Sequence, residues 1–242
     1  MKNFHEYSEK HVHFIEGFNI PFVESLLRSF DKPFSIVDLG CGDGRYLYSL
    51  YKKGLLNKAR RVVGVDISKE RIDRLKEICP FAEGLVADVT NLKELKNNSF
   101  DIAISSQVIE HVSDDKRMLK EVYRILKPKG YFYVSTVIKK WYGFWVYWNG
   151  EFKLDPTHKR EYSSEEEFIN LLEKNGFQVL EWRTERIRYP LIDLMVRFLI
   201  DANIIEPTSN FYVKHSHLEK LRKLKLGVIG YRTIEVLSQV RK

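Results

Sequence analysis

Three glycines at alternate positions follow an apolar run that ends in an aspartate: Ile36-Val37-Asp38-Leu39-Gly40-Cys41-Gly42-Asp43-Gly44. Residues of these types in this order read as a buried strand entering a tight turn that opens a helix. Such a glycine turn lets a ligand lie against the main chain. The spacing is G-x-G-x-G, not the G-x-G-x-x-G of dinucleotide-binding turns. Two further runs end in carboxylates, Val62-Val63-Gly64-Val65-Asp66 and Leu85-Val86-Ala87-Asp88. A carboxylate and an imidazole stand side by side at Glu110-His111, and His158 lies in Pro156-Thr157-His158-Lys159-Arg160-Glu161-Tyr162. A carboxylate–imidazole pair can take the proton of a hydroxyl. One carboxylate with two imidazoles is also a donor set for a divalent ion.

These groups need elements to hold them. Strand and helix signals alternate from residue 34 to about 136, as in a parallel sheet flanked by helices. Strands are expected at 34–39, 61–65, 84–87, 100–105 and 131–136. Helices are expected at 45–53, at 69–78 behind the cap Ser68, and at 114–126, stopped by Pro128 and Gly130. Ser164 and Glu167 form a capping box for a helix to Asn175, which Gly176 ends. A strand at 177–185, helices at 189–200 and 216–226, and a last strand at 228–237 complete the chain. The whole chain, 1–242, reads as one domain: a helical flank over 1–33 with a helix at 18–30, a core over 34–136, and cap insertions with the final strands over 137–242.

The 242 residues are 44% hydrophobic and 30% charged, enough apolar content for a core in a globular chain. No run is long and apolar enough to span a membrane, and residues 1–10 lack the apolar core of a leader peptide. Cys41 and Cys79 are the only cysteines. That excludes a disulfide scaffold and makes a reducing cytoplasm the expected compartment. The net charge of +7 permits contact with nucleic acid, anionic lipid or an acidic substrate and compels none.

The glycine turn resembles motif I of the class I S-adenosylmethionine (SAM) methyltransferases. The resemblance is close over about 34–136 and includes Leu126-Lys127-Pro128-Lys129-Gly130-Tyr131 before the fifth strand. It implies an α/β, Rossmann-like fold: a seven-stranded, mostly parallel sheet with helices on both faces and an antiparallel last strand. It implies SAM as cofactor and a cofactor site of Asp38, Gly40, Gly42, Gly44, Asp66, Ile67, Asp88, Val89, Ser105 and Gln107. Asp38 would hold the ammonium end of the methionine part, directly or through water. Asp66, about 20 positions past the turn, would grip the ribose hydroxyls. Asp88 would accept the adenine amino group while Val89 covers the ring.

Gln107-Val108-Ile109-Glu110-His111-Val112 resembles the small-molecule branch that includes the ubiquinone-pathway O-methyltransferases. Those enzymes read Glu-x-x-Glu-His, with a metal proposed at the carboxylates; here Gln107 replaces the first Glu, which puts metal binding in doubt. The segment around His158 resembles their Gly-Thr-His segment. The implied catalytic group is Glu110, His111 and His158, either as an acid–base set or around a divalent metal; structural retention of the Glu-His pair is the plain alternative. Trp141-Tyr142-Gly143-Phe144-Trp145-Val146-Tyr147-Trp148 holds six aromatics in eight residues. It reads as a wall for a ring-bearing or lipidic acceptor, as a membrane-surface contact, or as cap packing. Tyr142, Trp145, Arg160 and Tyr162 are the expected substrate residues; Tyr7, His11 and His13 are candidates for the cofactor entrance. The expected activity is SAM-dependent methyl transfer to a small molecule, at the hydroxyl of a quinol, phenol or lipid-linked compound. Two alternatives stand beside it: RNA 2′-O-methylation, and SAM binding without catalysis.

Overall fold

A computed structural model of the protein describes residues 19–145, 147–148, 151–202, 204–206 and 211–242. Seven strands form one sheet: β1 (Phe34–Leu39), β2 (Ala59–Asp66), β3 (Glu83–Val86), β4 (Phe100–Ser106), β5 (Leu126–Phe144), β8 (Phe177–Pro190) and β9 (Lys225–Val240). Their order is β3-β2-β1-β4-β5-β9-β8. The first five are mutually parallel, and β9 runs antiparallel between β5 and β8. The expected seven-stranded sheet with an antiparallel last strand is therefore present. A two-residue pair, β6 (Tyr147–Trp148) with β7 (Phe152–Lys153), lies outside it.

The Val- and Ile-rich strands are buried on both faces, as a parallel sheet requires. Successive side chains feed opposite layers. Val37, Val63 and Ala103 join Met118, Val122 and Phe168 from α4 (Asp115–Ile125) and α5 (Glu165–Lys174). Ile36, Val62 and Ile104 face Val23, Leu47 and Leu75 of α1 (Pro21–Arg28), α2 (Arg45–Lys52) and α3 (Lys69–Ile78). The caps fall where the residue types place them. Ser68 Oγ accepts from Arg71 N, Asp114 Oδ1 from Arg117 N, and Ser164 Oγ from Glu167 N. The return bond of the last cap shifts by one residue: Glu167 Oε2 accepts from Ser163 N.

The second half departs from the sequence pattern. β5 does not end near residue 136, because β9 pairs with it as far as Phe144↔Ile229. What had no period is a strand buried in turn on both faces at Val137 and Ile138. The expected helix at 216–226 is only α8 (Ser216–Glu219) followed by a 3₁₀ turn, Lys220–Lys223. It stops there because Lys225 and Leu226 pair with Pro190 and Tyr189 of β8. Between β8 and these turns lie α6 (Leu191–Asp201) and α7 (Phe211–Lys214). The N-terminal helix is shorter than expected, and Tyr7, His11 and His13 lie outside the described residues. Among the described residues no helix is long and apolar enough to cross a membrane.

Gly44 caps α2 with φ +88°, and a Cβ there would lie 2.4 Å from Leu75 Cδ1. Gly44→Ala combines a disfavoured backbone angle with a clash in a filled core. It is expected to lower stability by more than about 1 kcal/mol. A urea melt should show a lower midpoint with unchanged slope; an unmoved midpoint contradicts this reading of the turn.

Candidate active site

The glycine turn joins the carboxyl ends of β1, β2 and β4. Gly40 N and Cys41 N both donate to Val65 O, at 2.7 and 2.9 Å, which ties the turn to the end of β2. A Cβ on Gly40 would lie 2.3 Å from Val108 Cγ2. The turn therefore rests directly on the segment that leaves β4. Asp66 closes β2: its Oδ2 accepts from Gly42 N at 2.9 Å and its Oδ1 from Ser68 N at 3.0 Å. Each oxygen keeps a second lone pair, which suits a pair of sugar hydroxyls. Arg71 Nη1 stands 4.0 Å from Oδ2.

Two polar atoms at this strand edge test the expected cofactor. Asp38 Oδ2 and Ser105 Oγ are buried with no hydrogen-bond partner among the described residues. Burial pushes the Asp38 carboxyl up to about 7, against the pull of Arg45. A buried acceptor without a donor is costly, and an ammonium would supply what Asp38 lacks. The site thus fits the amino-acid end of SAM. At the other end, Asp88 is exposed, and its Oδ1 is held by Thr90 N and Thr90 Oγ1, both at 2.8 Å. Val89 is buried, whereas Ile67, next to Asp66, leaves half its surface open.

Beyond β4 the chain turns through Gln107, whose φ of +56° is rare for a side-chain-bearing residue. The turn is fixed by Gln107 N donating to Ser135 O at 2.9 Å, and the side-chain amide reaches Ser135 Oγ at 3.4 Å. It sends Glu110 into the interior. Glu110 Oε2 accepts from Thr136 Oγ1 at 2.8 Å, while its Oε1 is buried without a partner among the described residues. Burial raises its carboxyl to about 7. Its main-chain carbonyl accepts from Lys159 N and Arg160 N, at 2.8 and 3.2 Å, and so fastens the loop that carries His158.

The two imidazoles meet edge to face, with ring centres 4.7 Å apart. One ligand atom from each of Glu110, His111 and His158 lies within 4.8 Å of the other two. The loop decides which ring nitrogen carries the proton. Thr157 Oγ1 donates to Asp155 Oδ1, so towards His111 Nδ1, 2.9 Å away, it can only accept. His111 is therefore protonated at Nδ1, and Nε2 holds the lone pair. Burial, followed by the neighbouring His158, lowers His111 to about 4 and keeps it neutral. His158 Nδ1 stands 2.7 Å from Glu161 Oε1. Burial works to raise Glu161, but the His158 ring and the Leu154 N–H outweigh it and hold the carboxyl below its ordinary range. An ionised carboxylate accepts only, so His158 is also protonated at Nδ1. Tyr231 OH donates to the other Glu161 oxygen at 3.0 Å, and Lys139 Nζ lies 3.7 Å from it.

The fold thus brings together Glu110, His111 and His158, and separately gathers Asp38, Asp66, Ser105 and the glycine turn. The expected substrate residues fare differently. Arg160 gives its Nη1 donors to Ile109 O and Val112 O and its Nη2 to Ser113 O, which makes it a clamp on the 109–113 turn. Tyr162 is buried and donates to Asp115 Oδ2 at 3.1 Å. In the structure both act as supports. Trp145 is half-buried and stacks on Tyr189 at 5.4 Å, whereas Tyr142 and Trp141 face solvent. Asp155, Thr157 and Glu161 were missed as supports. The signal was there: a carboxylate two residues before Thr157 makes a side-chain turn, and one three residues after His158 can reach its ring.

Comparison with known proteins agrees with this geometry. The methyltransferase-domain family matches residues 37–134. A ubiquinone biosynthesis O-methyltransferase of Bartonella tribocorum is 31% identical over 157 residues, 60% of this chain and 61% of that protein. An arsenite methyltransferase of Aquipseudomonas alcaligenes is 36% identical over 114 residues, 42% of this chain and 32% of that protein. The chain thus spans between about a third and three-fifths of the length of these relatives. A SAM-dependent methyltransferase structure from Methanosarcina mazei superposes with a TM-score of 0.61 at 18% identity, covering 92% of this chain and 98% of that one. Residues 37–134 match the methyltransferase-domain family, and the chain has the fold of the class I SAM-dependent methyltransferases.

Proposed function

We propose that this protein transfers the methyl group of SAM to a hydroxyl oxygen of a small molecule, a quinol, phenol or related lipid-linked compound. The observation that carries the reading is the pinning of both imidazoles through Nδ1, which leaves each ring an Nε2 lone pair within a cluster that includes the buried Glu110. The resemblance to ubiquinone-pathway O-methyltransferases, one of which is named among the relatives, supports the acceptor class.

SAM, when bound, supplies an activated methyl on a cationic sulfur. The chain's own residues then have three tasks. Asp38, Asp66 and Ser105 orient the cofactor. His158, backed by Glu161, receives the hydroxyl proton at Nε2 as the acceptor oxygen becomes an ether oxygen. His111, neutral and fixed by Thr157, offers a second acceptor, which can take a neighbouring hydroxyl of a catechol or hydroquinone and so hold the reacting oxygen in line. Glu110 and the two imidazoles would equally hold a divalent ion, whose charge would lower the pKa of the hydroxyl.

His158→Gln is expected to lower kcat by about 10²–10⁴-fold and leave SAM affinity intact, because the loss belongs to the transition state. Glu161→Gln should reduce turnover in the same direction. The measurement is methyl transfer to a panel of catechols and hydroquinones, with a short RNA for comparison, alongside calorimetry of SAM binding. Undiminished turnover in His158→Gln contradicts the base role, and methylation of the RNA alone contradicts the acceptor class. Loss of activity in chelator, restored by a divalent ion, would place a metal in the cluster; turnover indifferent to chelation excludes one.

A second expectation concerns pH. The ammonium of SAM needs Asp38 ionised, and Asp38 is raised to about 7. As pH falls below that value a proton competes for the carboxylate, so calorimetric SAM affinity should fall by up to about tenfold per unit. Asp38→Asn should bind more weakly and lose this dependence. A flat wild-type profile between pH 7 and 6 would remove Asp38 from the ammonium site.

A further inference from the structure

α6 is apolar on two sides. Ile192 and Val196 are buried against Ile205, Phe211 and Leu218. Leu191, Met195 and Phe198, spaced by four and three residues along a second face, are exposed, Phe198 by 70%. Leu191 N donates to Leu224 O at 2.9 Å, which fixes the start of α6 beside the segment Lys220-Leu221-Arg222-Lys223-Leu224-Lys225-Leu226. This run alternates cations with leucines and contains no acid. Leu221, Leu224 and Leu226 are exposed, as are Lys220, Lys223 and Lys225. Arg222 pairs with Asp193 of α6 at 3.0 Å. None of the three lysines is in an ion pair among the described residues. Arg188, opposite Gly227 on β8, is exposed as well.

Water is a poor neighbour for so much aliphatic and aromatic surface, and a protein interior would not accept the lysines. A phospholipid surface suits both. Leucine and phenylalanine enter the acyl boundary while lysine stems reach back to the headgroups. The absence of acidic residues from the 220–226 run selects anionic headgroups, by charge complementarity. The position also fits. β5 continues from Ser135, level with the end of β4, to Phe144, which pairs with the exposed Ile229, and β8 and β9 extend beside it. The surface is therefore built on the same strand ends that lead away from the candidate active site.

We propose that the face made by Leu191, Met195, Phe198, Leu224 and Leu226, with Lys220, Lys223 and Lys225 around it, docks this protein on anionic phospholipid membranes. The inference does not depend on the acceptor proposed above.

The test is co-sedimentation of the full chain with phosphatidylcholine vesicles with and without phosphatidylglycerol. Binding is expected only to the anionic vesicles, weakening as salt is raised. Replacing Lys220, Lys223 and Lys225 together by Gln should lower the partition by about a hundredfold, roughly fivefold for each lysine. Phe198→Ser should weaken binding at every salt concentration. A control that removes the same charge elsewhere, Lys76, Lys93 and Lys96 to Gln, should bind as the wild type does. SAM calorimetry and a thermal melt confirm that each variant is folded. No sedimentation with anionic vesicles overturns the proposal. Equal losses in the two lysine triples overturn it too, because net charge and not this face would then be responsible. So does a dimer in solution that Phe198→Ser dissociates without vesicle binding, which makes the face an interface between copies of the chain.

Discussion

Glu110 is a carboxylate buried in the interior, and the candidate site is arranged around it. Its side chain lies at the interior end of the turn after β4, where one oxygen is satisfied by Thr136 and the other by no group among the described residues. Its carbonyl holds Lys159 and Arg160. Arg160 then clamps the carbonyls of Ile109, Val112 and Ser113, which locks the turn that buried Glu110 in the first place. The loop placed by these bonds carries Asp155, Thr157, His158 and Glu161, and these residues fix both imidazoles. Two segments far apart in the chain thus become one rigid constellation.

That arrangement has a cost that depends on pH. Glu110 and Asp38 are both raised to about 7 by burial. The stability each contributes is complete below the ordinary carboxylate range and is lost as pH rises through about 7. His111 is lowered to about 4, so its share is complete above the ordinary imidazole value and is lost as pH falls towards 4. A cation at Asp38 offsets the first of these costs, as the ammonium of SAM would. The unsatisfied atoms are concentrated where a ligand is expected, while the remainder of the sheet is well packed and capped. Strain and unpaired groups gathered at a site are what a binding cleft embedded in a stable scaffold should show.

Much of this could be read from residue types. β1 begins and ends where its apolar run does, and Ser68, Asp114 and Ser164 cap the helices that they precede. The glycine turn and Asp66 meet as their spacing requires. These are local signals, each decided within a few residues. The second half was less legible because its structure is decided by pairing at a distance. Val137 and Ile138 are buried one after the other, so no alternation betrays the strand, and β9 is needed to extend it. Leu224 and Leu226 look helical until β8 draws Leu226 and Lys225 into the sheet. The supporting bonds of Arg160 and Tyr162 were not legible because their partners, the 109–113 carbonyls and Asp115, lie some 50 residues earlier in sequence.

The chemistry of the site depends on the protonation of two rings. Imidazole nitrogen chemical shifts, measured on isotopically labelled protein at pH 7, report tautomer and charge directly. Thr157 and Glu161 require both His111 and His158 to carry a proton on Nδ1, and burial requires His111 to be neutral. Shifts showing a neutral His111 and a proton on Nδ1 of each ring would agree. A charged His111, or either ring neutral with its proton on Nε2, would contradict the arrangement from which the chemistry is inferred.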